Sequence, residues 1–348
     1  MAVQSATIGV SPLRDFVSRL FQARGLSARD AGHVAEVLVW ADMRGAETHG
    51  VARISHYFGM IDKGAMKPDA VPHVRADFGA LFSIEAKGAA GPVAMMQVVE
   101  TAQARARQFG VGLGVMGGAT HAGAIGHYVE HAARNGFVAI AFAAGPPLMA
   151  YEGARIASLS TAPLAIAAPG GPEGVVLLDM ASSLVSNGRL KQARRDNELL
   201  PEGWALDAQG KPAREASQAE VLLPIAGPKG SGLALMTEIL TSLLASAPLL
   251  APMLQKGKKG HGQSATMIVI DVSHLRAASD FAADMEMLTS VIKTLPRVDG
   301  VEELRLPGER SARAAKRAET QGLHINAKVW AELTVLAQLH GVDVPKSA

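Results

Sequence analysis

The sequence predicts a mixed α/β protein with helical ends and a sheet-bearing middle. Three observations carry this. Apolar residues recur at helical spacing before residue 64 and after residue 311. Between 73 and 306, short aliphatic runs alternate with helical segments. One run, Phe137–Ala144, is apolar throughout, as expected of a strand buried on both faces.

The elements follow in order. Ser11-Pro12 marks a helix start, and Leu13, Phe16, Val17, Leu20 and Phe21 follow at helical spacing until Gly25 stops the run. Ser27 with Asp30 opens a second helix that turns Val34, Leu38 and Ala41 to a core. Glu47-Thr48-His49-Gly50 interrupts the pattern, and a third helix is predicted over 51–63, stopped by Gly64. Val51, Ile54, Phe58 and Ile61 share one of its faces; His49, Arg53, His56, Tyr57 and Met60 project to the opposite one. That second face is either the wet side of a surface helix or the wall of a cleft for an anionic substrate.

Past Pro68, strands are predicted at 73–76 and 81–84, a helix at 92–107, a strand at 111–116 and a helix at 124–135. Strands follow at 137–144, 157–160, 164–167 and 175–178. Asp179 ends the last of these, where a carboxylate either binds a ligand or accepts backbone N–H groups at a helix start, with Ser182 as cap of the next helix. Residues 189–218 are polar and turn-rich, which points to a lid or a subunit contact. Gly227-Pro228-Lys229-Gly230-Ser231-Gly232 then leads into a helix with Leu233, Met236, Leu240, Leu243 and Leu244 on one face. Free N–H groups, a helix dipole and a lysine make that loop a phosphate cradle, though it lacks the Walker A spacing. A basic loop at 249–262, a strand at 265–272, a helix at 281–295 and a short strand at 301–306 follow. Helices at 311–320 and 327–339 close the chain and are expected to pack on the N-terminal helices.

Composition narrows the function classes. The 348 residues are 48% hydrophobic and 19% charged, a globular balance with ample core. A formal net charge of +2, with basic residues dispersed apart from clusters such as Arg189, Lys191, Arg194, Arg195 and Lys256, Lys258, Lys259, gives no electrostatic case for nucleic acid. Cysteine is absent, so disulfides, thiolate catalysis and cysteine metal sites are excluded. No basic start with a long apolar run and no bilayer-length segment is visible, so a soluble cytoplasmic protein without a membrane partner is expected.

Three patterns crowd into residues 112–131. Gly112-Leu113-Gly114-Val115-Met116-Gly117 spells the dinucleotide fingerprint GxGxxG. Apolar residues thread through its glycines, so they lie within a strand and not in the turn after one. His127-Tyr128-Val129-Glu130-His131 spells HxxEH, the zinc-hydrolase arrangement of two imidazoles and a general base, but no third ligand stands out downstream. His121, between them, matches neither motif and is the stronger candidate for chemistry, since an imidazole exchanges protons near neutral pH.

Ala41-Asp42-Met43-Arg44-Gly45, Thr48-His49-Gly50-Val51, Arg53, Tyr57, Gly64 and Pro68 together resemble a segment of the malate/L-lactate dehydrogenase family. That group includes sulfolactate, ureidoglycolate and diketogulonate dehydrogenases and cyclic-imine reductases. The likeness continues collinearly through GATHAG, Gly145-Pro146-Pro147, LSTAPLAIAAP, LDMASS, PEGWALDAQGKP, GPKGSGLAL and LPGER. It implies a homodimeric oxidoreductase that binds NAD or NADP on a largely antiparallel, non-Rossmann sheet. It also implies a helical domain from both chain ends, 1–75 and 300–348, around a sheet-containing domain, 76–299. By the same resemblance His49 and His121 are the acid/base candidates, and Thr48, Arg53 and Tyr57 meet the substrate. Gly145, Asp179, Met180, Ala181, Lys229, Gly230, Gly308 and Glu309 match cofactor-holding positions, and no metal is implied. The resemblance also implies a 2-oxo or 2-hydroxy acid or a cyclic imino acid as substrate. Bulkier or amide-bearing family residues are replaced here by Gly118, Ala122, Ala162, Pro228 and Ser231, which predicts a roomier pocket.

Overall fold

The computed structural model describes residues 5–247 and 262–347. The predicted basic loop at 249–262 lies outside them except for Gly262.

After a short strand β1 (Ala6–Ile8) come helices α1 (Val10–Gln22), α2 (Ala28–Met43) and α3 (Ile54–Asp62). Leu13, Phe16, Val17, Leu20 and Phe21 of α1 are all buried, as their spacing requires. Helix α1 starts two residues before Pro12, with Gly9 at its cap position. The Ser27 side chain accepts the Asp30 N–H and caps α2. The predicted third helix is shorter than its pattern, because two 3₁₀ turns, Glu47–His49 and Val51–Arg53, precede α3.

Strands β2 (His73–Phe78) and β3 (Leu81–Glu85) form a hairpin, and helix α4 (Gly91–Phe109) crosses to β4 (Val111–Ala119), which pairs parallel with β3. Helix α5 (Gly126–Arg134) and β5 (Phe137–Ala144) follow. Next come β6 (Met149–Ala150), β7 (Ala157–Leu159), β8 (Leu164–Pro169), β9 (Val175–Met180), α6 (Asn187–Arg195), β10 (Ala205–Leu206) and β11 (Val221–Leu222). The chain continues as α7 (Pro228–Glu238), a π turn (Ile239–Leu243), β12 (Gln263–Asp271), α8 (Ala278–Thr294), α9 (Glu309–Gln321), β13 (Leu323–Ile325) and α10 (Ala327–Leu339).

Among the described residues the main sheet runs β2-β3-β4-β12-β5-β8-β9. Every neighbouring pair except β3 with β4 is antiparallel. The GxGxxG is thus the middle of β4, a strand, as its interleaved apolar residues indicated. Helices α4 and α5 cover the sheet along β4, β12, β5 and β8, and α2 packs on both helices. The core between them is built from alanine, valine and methionine with Phe82, Phe137 and Tyr128. A second core joins α1, α2 and α3 to Ala318, Leu323, Ile325, Leu333 and Ala337, so the closing helices do pack on the opening ones. Strands β1 and β13 stitch the two ends together, a pairing too short to read from periodicity.

Three expectations change, and the face of α7, which its spacing left open, is defined. The turn-rich stretch 189–218 is not an open lid: with β6, β7, β10 and β11 it surrounds a small core including Met149, Leu159, Leu190, Ala193 and Leu222. Residues 301–306 form no strand, and Ser182 caps no helix; its hydroxyl donates to the Ala162 carbonyl, while Ser186 caps α6. The apolar residues of α7 face outward, with Leu235, Met236, Leu243 and Leu244 exposed and Ser231, Ala234, Thr237 and Thr241 buried. No described helix is long and apolar enough to cross a membrane.

Candidate active site

Helix α2 ends in a buried carboxyl group that fixes the next seven residues. Asp42 Oδ2 accepts the Val51 N–H at 2.8 Å, tying the two 3₁₀ turns to the end of α2. Burial pushes the Asp42 carboxyl up to about 8, the Glu47 charge adds to this, and the Val51 hydrogen bond opposes it. The turns carry Thr48, His49 and Arg53. Arg53 Nε donates to the Thr48 carbonyl at 2.8 Å, and Thr48 Oγ1 lies 3.2 Å from His49 Nδ1. The Thr48 hydroxyl, expected to meet substrate, lies against the His49 ring and is half-exposed.

His121 arrives from the sheet. It stands in the loop after β4, and its ring faces that of His49 at a centroid distance of 5.7 Å with 26° between planes. Two imidazoles from segments some seventy residues apart thus meet at the junction of the helical and sheet cores. Both are partly accessible, so a ligand can reach them.

Tyr57 corrects the sequence reading. It was expected on the cleft face, meeting the substrate, but its side chain is fully buried, with its ring edge toward Phe21. Its hydroxyl lies 2.8 Å from His121 Nδ1 and 3.0 Å from the His121 carbonyl oxygen. The phenol satisfies both contacts when it accepts from Nδ1–H and donates to the carbonyl, which leaves Nε2 with a free lone pair. The Gly123 N–H, 3.2 Å from Nδ1, favours the other tautomer, in which Nε2 carries the proton. Tyr57 is therefore a positioning group for His121.

Burial holds the His49 imidazole down to about 4, with the Arg53 charge assisting. His121 is lowered well below the ordinary histidine range by burial, then by Arg53, His49 and His56. Arg53 is itself partly buried and has no ion-pair partner among the described residues. The centre is thus a pair of neutral imidazoles beside an uncompensated cation, an arrangement suited to an anion.

Two of the expected cofactor positions, Gly145 and Asp179, connect to the segment that follows His121. A side chain at Gly145 would meet Gln263 Nε2, and Gln263 Oε1 accepts the N–H of Ala122, the residue after His121, at 2.7 Å. Asp179 Oδ2 accepts the Gly126 N–H at 3.1 Å at the start of α5. Asp179 thus accepts a backbone N–H at a helix start, and its residue is otherwise exposed to solvent. Partial enclosure of the carboxyl raises it to about 6, against the pull of Gly126 and Arg44. Met180 pairs with Leu164 at the end of the ladder, and Ala181 follows it. Gly230 packs against Ile225 and the Ser182 carbonyl, three residues beyond Asp179, while Lys229 is exposed at the start of α7 and has no ion-pair partner among the described residues. A cavity of about 490 Å³ lined by Glu152, Arg155, Leu184, Leu223 and Gly227 opens beside that loop. An exposed lysine at a helix N-terminus has the charge and dipole that suit a phosphate group.

Glu309 does not fit. Its carboxylate is buried and consumed by Lys293, Arg313 and the Leu306 N–H, so it anchors α9 and is not a cofactor ligand. Gly308 abuts the Leu177 carbonyl beside it. The HxxEH reading fails on the same ground. Glu130 accepts from Trp40, Arg44 and Arg134, leaving no free carboxylate to serve as a base. His127 is enclosed between Trp40 and Tyr128 with neither ring nitrogen hydrogen-bonded, and burial lowers it to about 3. His131 lies on the same helix but meets no such cluster; no group of three potential metal ligands occurs among the described residues.

The roomier pocket also loses its basis. Gly118 has φ +72°, and Glu85 Oε1 fills the space its side chain would take. Ala122 and Ala162 are buried in packed cores, and the Ser231 hydroxyl accepts the Glu152 N–H. Pro228 is exposed at the loop mouth. Gly118, Ala122, Ala162 and Ser231 are thus packed against this chain's own atoms, and of the five positions Pro228 is the exposed one. Sequence reasoning missed Gln263, whose backbone bond sets the His121 loop, and the buried role of Asp42. Asp42 lies in the Ala41–Gly45 segment that carries the family resemblance, whereas Gln263 has no signal beyond its residue type.

The sequence pattern of the malate/L-lactate dehydrogenase family matches residues 8–334. The ureidoglycolate dehydrogenase (NAD(+)) of Escherichia coli is 30% identical over 311 residues, 88% of this chain and 89% of that one. The malate dehydrogenase structure from Pyrococcus horikoshii superposes with a TM-score of 0.89 at 27% identity, covering 98% of this chain and 97% of the other. A delta1-piperideine-2-carboxylate reductase structure from Pseudomonas syringae gives a TM-score of 0.82 at 28% identity, covering 95% and 99%. The chain belongs to the malate/L-lactate dehydrogenase family.

Proposed function

We propose that this family member is an oxidoreductase using NAD or NADP. It moves hydride between nicotinamide and the C2 carbon of a 2-hydroxy/2-oxo acid or a cyclic 2-imino acid. The observation that carries the reading is the stacked His49–His121 pair beside unpaired Arg53. A bound nicotinamide supplies or removes the hydride; the protein's residues handle the charge and the proton.

Arg53 holds the substrate carboxylate as a charge-assisted pair. Of the two imidazoles, His121 takes the proton, because Tyr57 backs its Nδ1 at 2.8 Å, whereas His49 has only the Thr48 hydroxyl at 3.2 Å. In oxidation, the Nε2 lone pair of His121 accepts the hydroxyl proton while Nδ1–H stays on Tyr57. In reduction, the imidazolium returns that proton to the developing oxyanion or amine. The carboxylate's arrival offsets the Arg53 charge that suppresses imidazole protonation, so substrate raises the His121 pKa toward working pH. The apparent pKa in kcat should accordingly lie above that in kcat/KM.

A homodimer is part of the proposal. Leu235, Met236, Leu243 and Leu244 around α7 and Met287, Leu288 and Val291 on α8 are exposed, a large apolar area for a chain acting alone. A cytoplasmic setting belongs to the same reading. The test is consumption of NADH and NADPH by the purified protein over a panel of 2-oxo acids and cyclic 2-imino acids. Turnover with one cofactor and at least one such acid is expected; no turnover with either cofactor overturns the proposal.

A further inference from the structure

Gln263 stands at the end of the sheet from which the His121 loop and the Gly145 turn both depart. Strand β12 pairs with β4 on one side and with β5 on the other. Gln263 is opposite Ala119, two residues before His121, and its neighbour Ser264 is opposite Ala144, the residue before Gly145. The side chain ends the row of Ala265, Met267 and Val269, which enters the core under α4 and α5. There its amide meets the peptide that joins His121 to Ala122. That peptide is bonded on both sides. Its N–H donates to Gln263 Oε1 at 2.7 Å, and its carbonyl accepts from the Tyr57 hydroxyl at 3.0 Å. The next carbonyl, that of Ala122, accepts from the buried Tyr128 hydroxyl.

Gly145 faces the other half of the amide. An N–H donor fixes which atom is Oε1, so Nε2 is the atom turned away from Ala122. A Cβ at Gly145 would lie 2.9 Å from that nitrogen. Gly145 is not among the glycines with positive φ, so its backbone conformation does not demand glycine. What excludes a side chain there is the Gln263 amide. An alanine would displace the end of a flexible side chain and leave the backbone in place. The displaced end is the one that holds the His121–Ala122 peptide by its N–H. With that side unheld, rotation of the peptide carries the His121 ring relative to His49, whose centroid is 5.7 Å away.

We propose that Gln263 is a positioning residue for His121, and that position 145 is glycine in order to seat the Gln263 amide. Gly145 then serves the proton-transfer side of the site through Gln263 and does not hold the cofactor directly. A misplacement of about 1 Å can cost about 100-fold in rate, so the pair acts on kcat and leaves cofactor affinity alone. The inference rests on the oxidoreductase reading above and deepens it at the His121 loop.

The test is a double-mutant cycle in the full-length protein: Gln263→Ala, Gly145→Ala and both together. Three quantities are read: steady-state kinetics with the acid turned over fastest, the Kd of NADH and NADPH by fluorescence, and the His121 ring resonances in ¹⁵N-histidine-labelled protein. Each single variant should lower kcat by roughly 5–50-fold, with KM and the reduced-cofactor Kd within about threefold of wild type. The double variant should fall no more than about twofold below the worse single one, because both act through the same amide. The His121 resonances should move in both single variants. Losses that multiply in the double variant overturn the proposal, as does an unchanged kcat in Gln263→Ala. A reduced-cofactor Kd weakened by about tenfold or more in Gly145→Ala also overturns it, since Gly145 would then hold the cofactor itself. If the wild type turns over no 2-oxo or cyclic 2-imino acid, the oxidoreductase reading fails by that result alone. The resonances still decide the positioning: unmoved His121 signals in Gln263→Ala overturn it, and moved ones uphold it.

Discussion

At the scale of single residues, Tyr57 and Asp42 set the geometry of the proposed chemistry without touching substrate. Tyr57→Phe removes the acceptor for His121 Nδ1–H and leaves the Gly123 N–H to favour the tautomer whose Nε2 carries a proton. Such a ring is a poor base, so the variant should lose about 10–100-fold in kcat/KM for oxidation while its melting temperature changes little. Steady-state kinetics in both directions, with a thermal melt, checks this. Asp42 has a folded-state pKa near 8 against 3.8 for the free group, so the native state binds more protons between those values. Stability conferred by the neutral carboxyl is complete below about pH 4 and is lost as pH rises through 8. Asp42→Asn should flatten that decline, amounting to about 2–4 kcal/mol between pH 5 and 9 in urea titrations of the wild type. His127 separates two chemistries. His127→Phe fills the same apolar slot without orphaned nitrogens, so unchanged activity and equal or higher stability are expected. Loss of activity with displacement of bound zinc would favour the hydrolase motif instead.

At the scale of elements, the legible parts were those whose apolar spacing is set by local burial. Helices α1, α2 and α10 and strand β5 fall where the periodicity puts them because each buries one face against a core within reach of its own sequence. The spacing also put apolar residues of α7 on one face without saying what covers it. Its leucines have helical spacing, but spacing cannot say whether they meet this chain or another. Replacing Met236 and Leu243 together with Glu should convert a dimer to a folded monomer by sedimentation, whereas a wild type that is already monomeric contradicts the interface. Helix α6 shows a second limit. Its sequence reads as a basic cluster, and only the approach of Gly188 to Thr48 shows that the helix lies on the turn carrying His49 and Arg53. For Tyr57, a helical wheel assigned the cleft face, but the 3₁₀ turns before α3 rotate it inward.

At the scale of the whole molecule, both ends of the chain build one core and the sheet builds another, with the histidines where they meet. We put forward a division near residues 75 and 300 as the domain boundary. Limited proteolysis near those positions, with fragments that remain associated, is the expected result. The family resemblance made the antiparallel sheet and the His49–His121 pairing legible before the structure, because its motifs run in order along almost the whole chain. The cofactor role of Glu309 did not survive, since a motif match gives no account of the ion pairs that consume a carboxylate. The most direct measurement of the central claim is a comparison of wild type with His121→Gln, reading both kcat/KM and the binding constant of the reduced cofactor. The account predicts a loss of about 10²–10⁴-fold in kcat/KM with cofactor affinity within about threefold of wild type. Retention of more than about a tenth of the activity would contradict it.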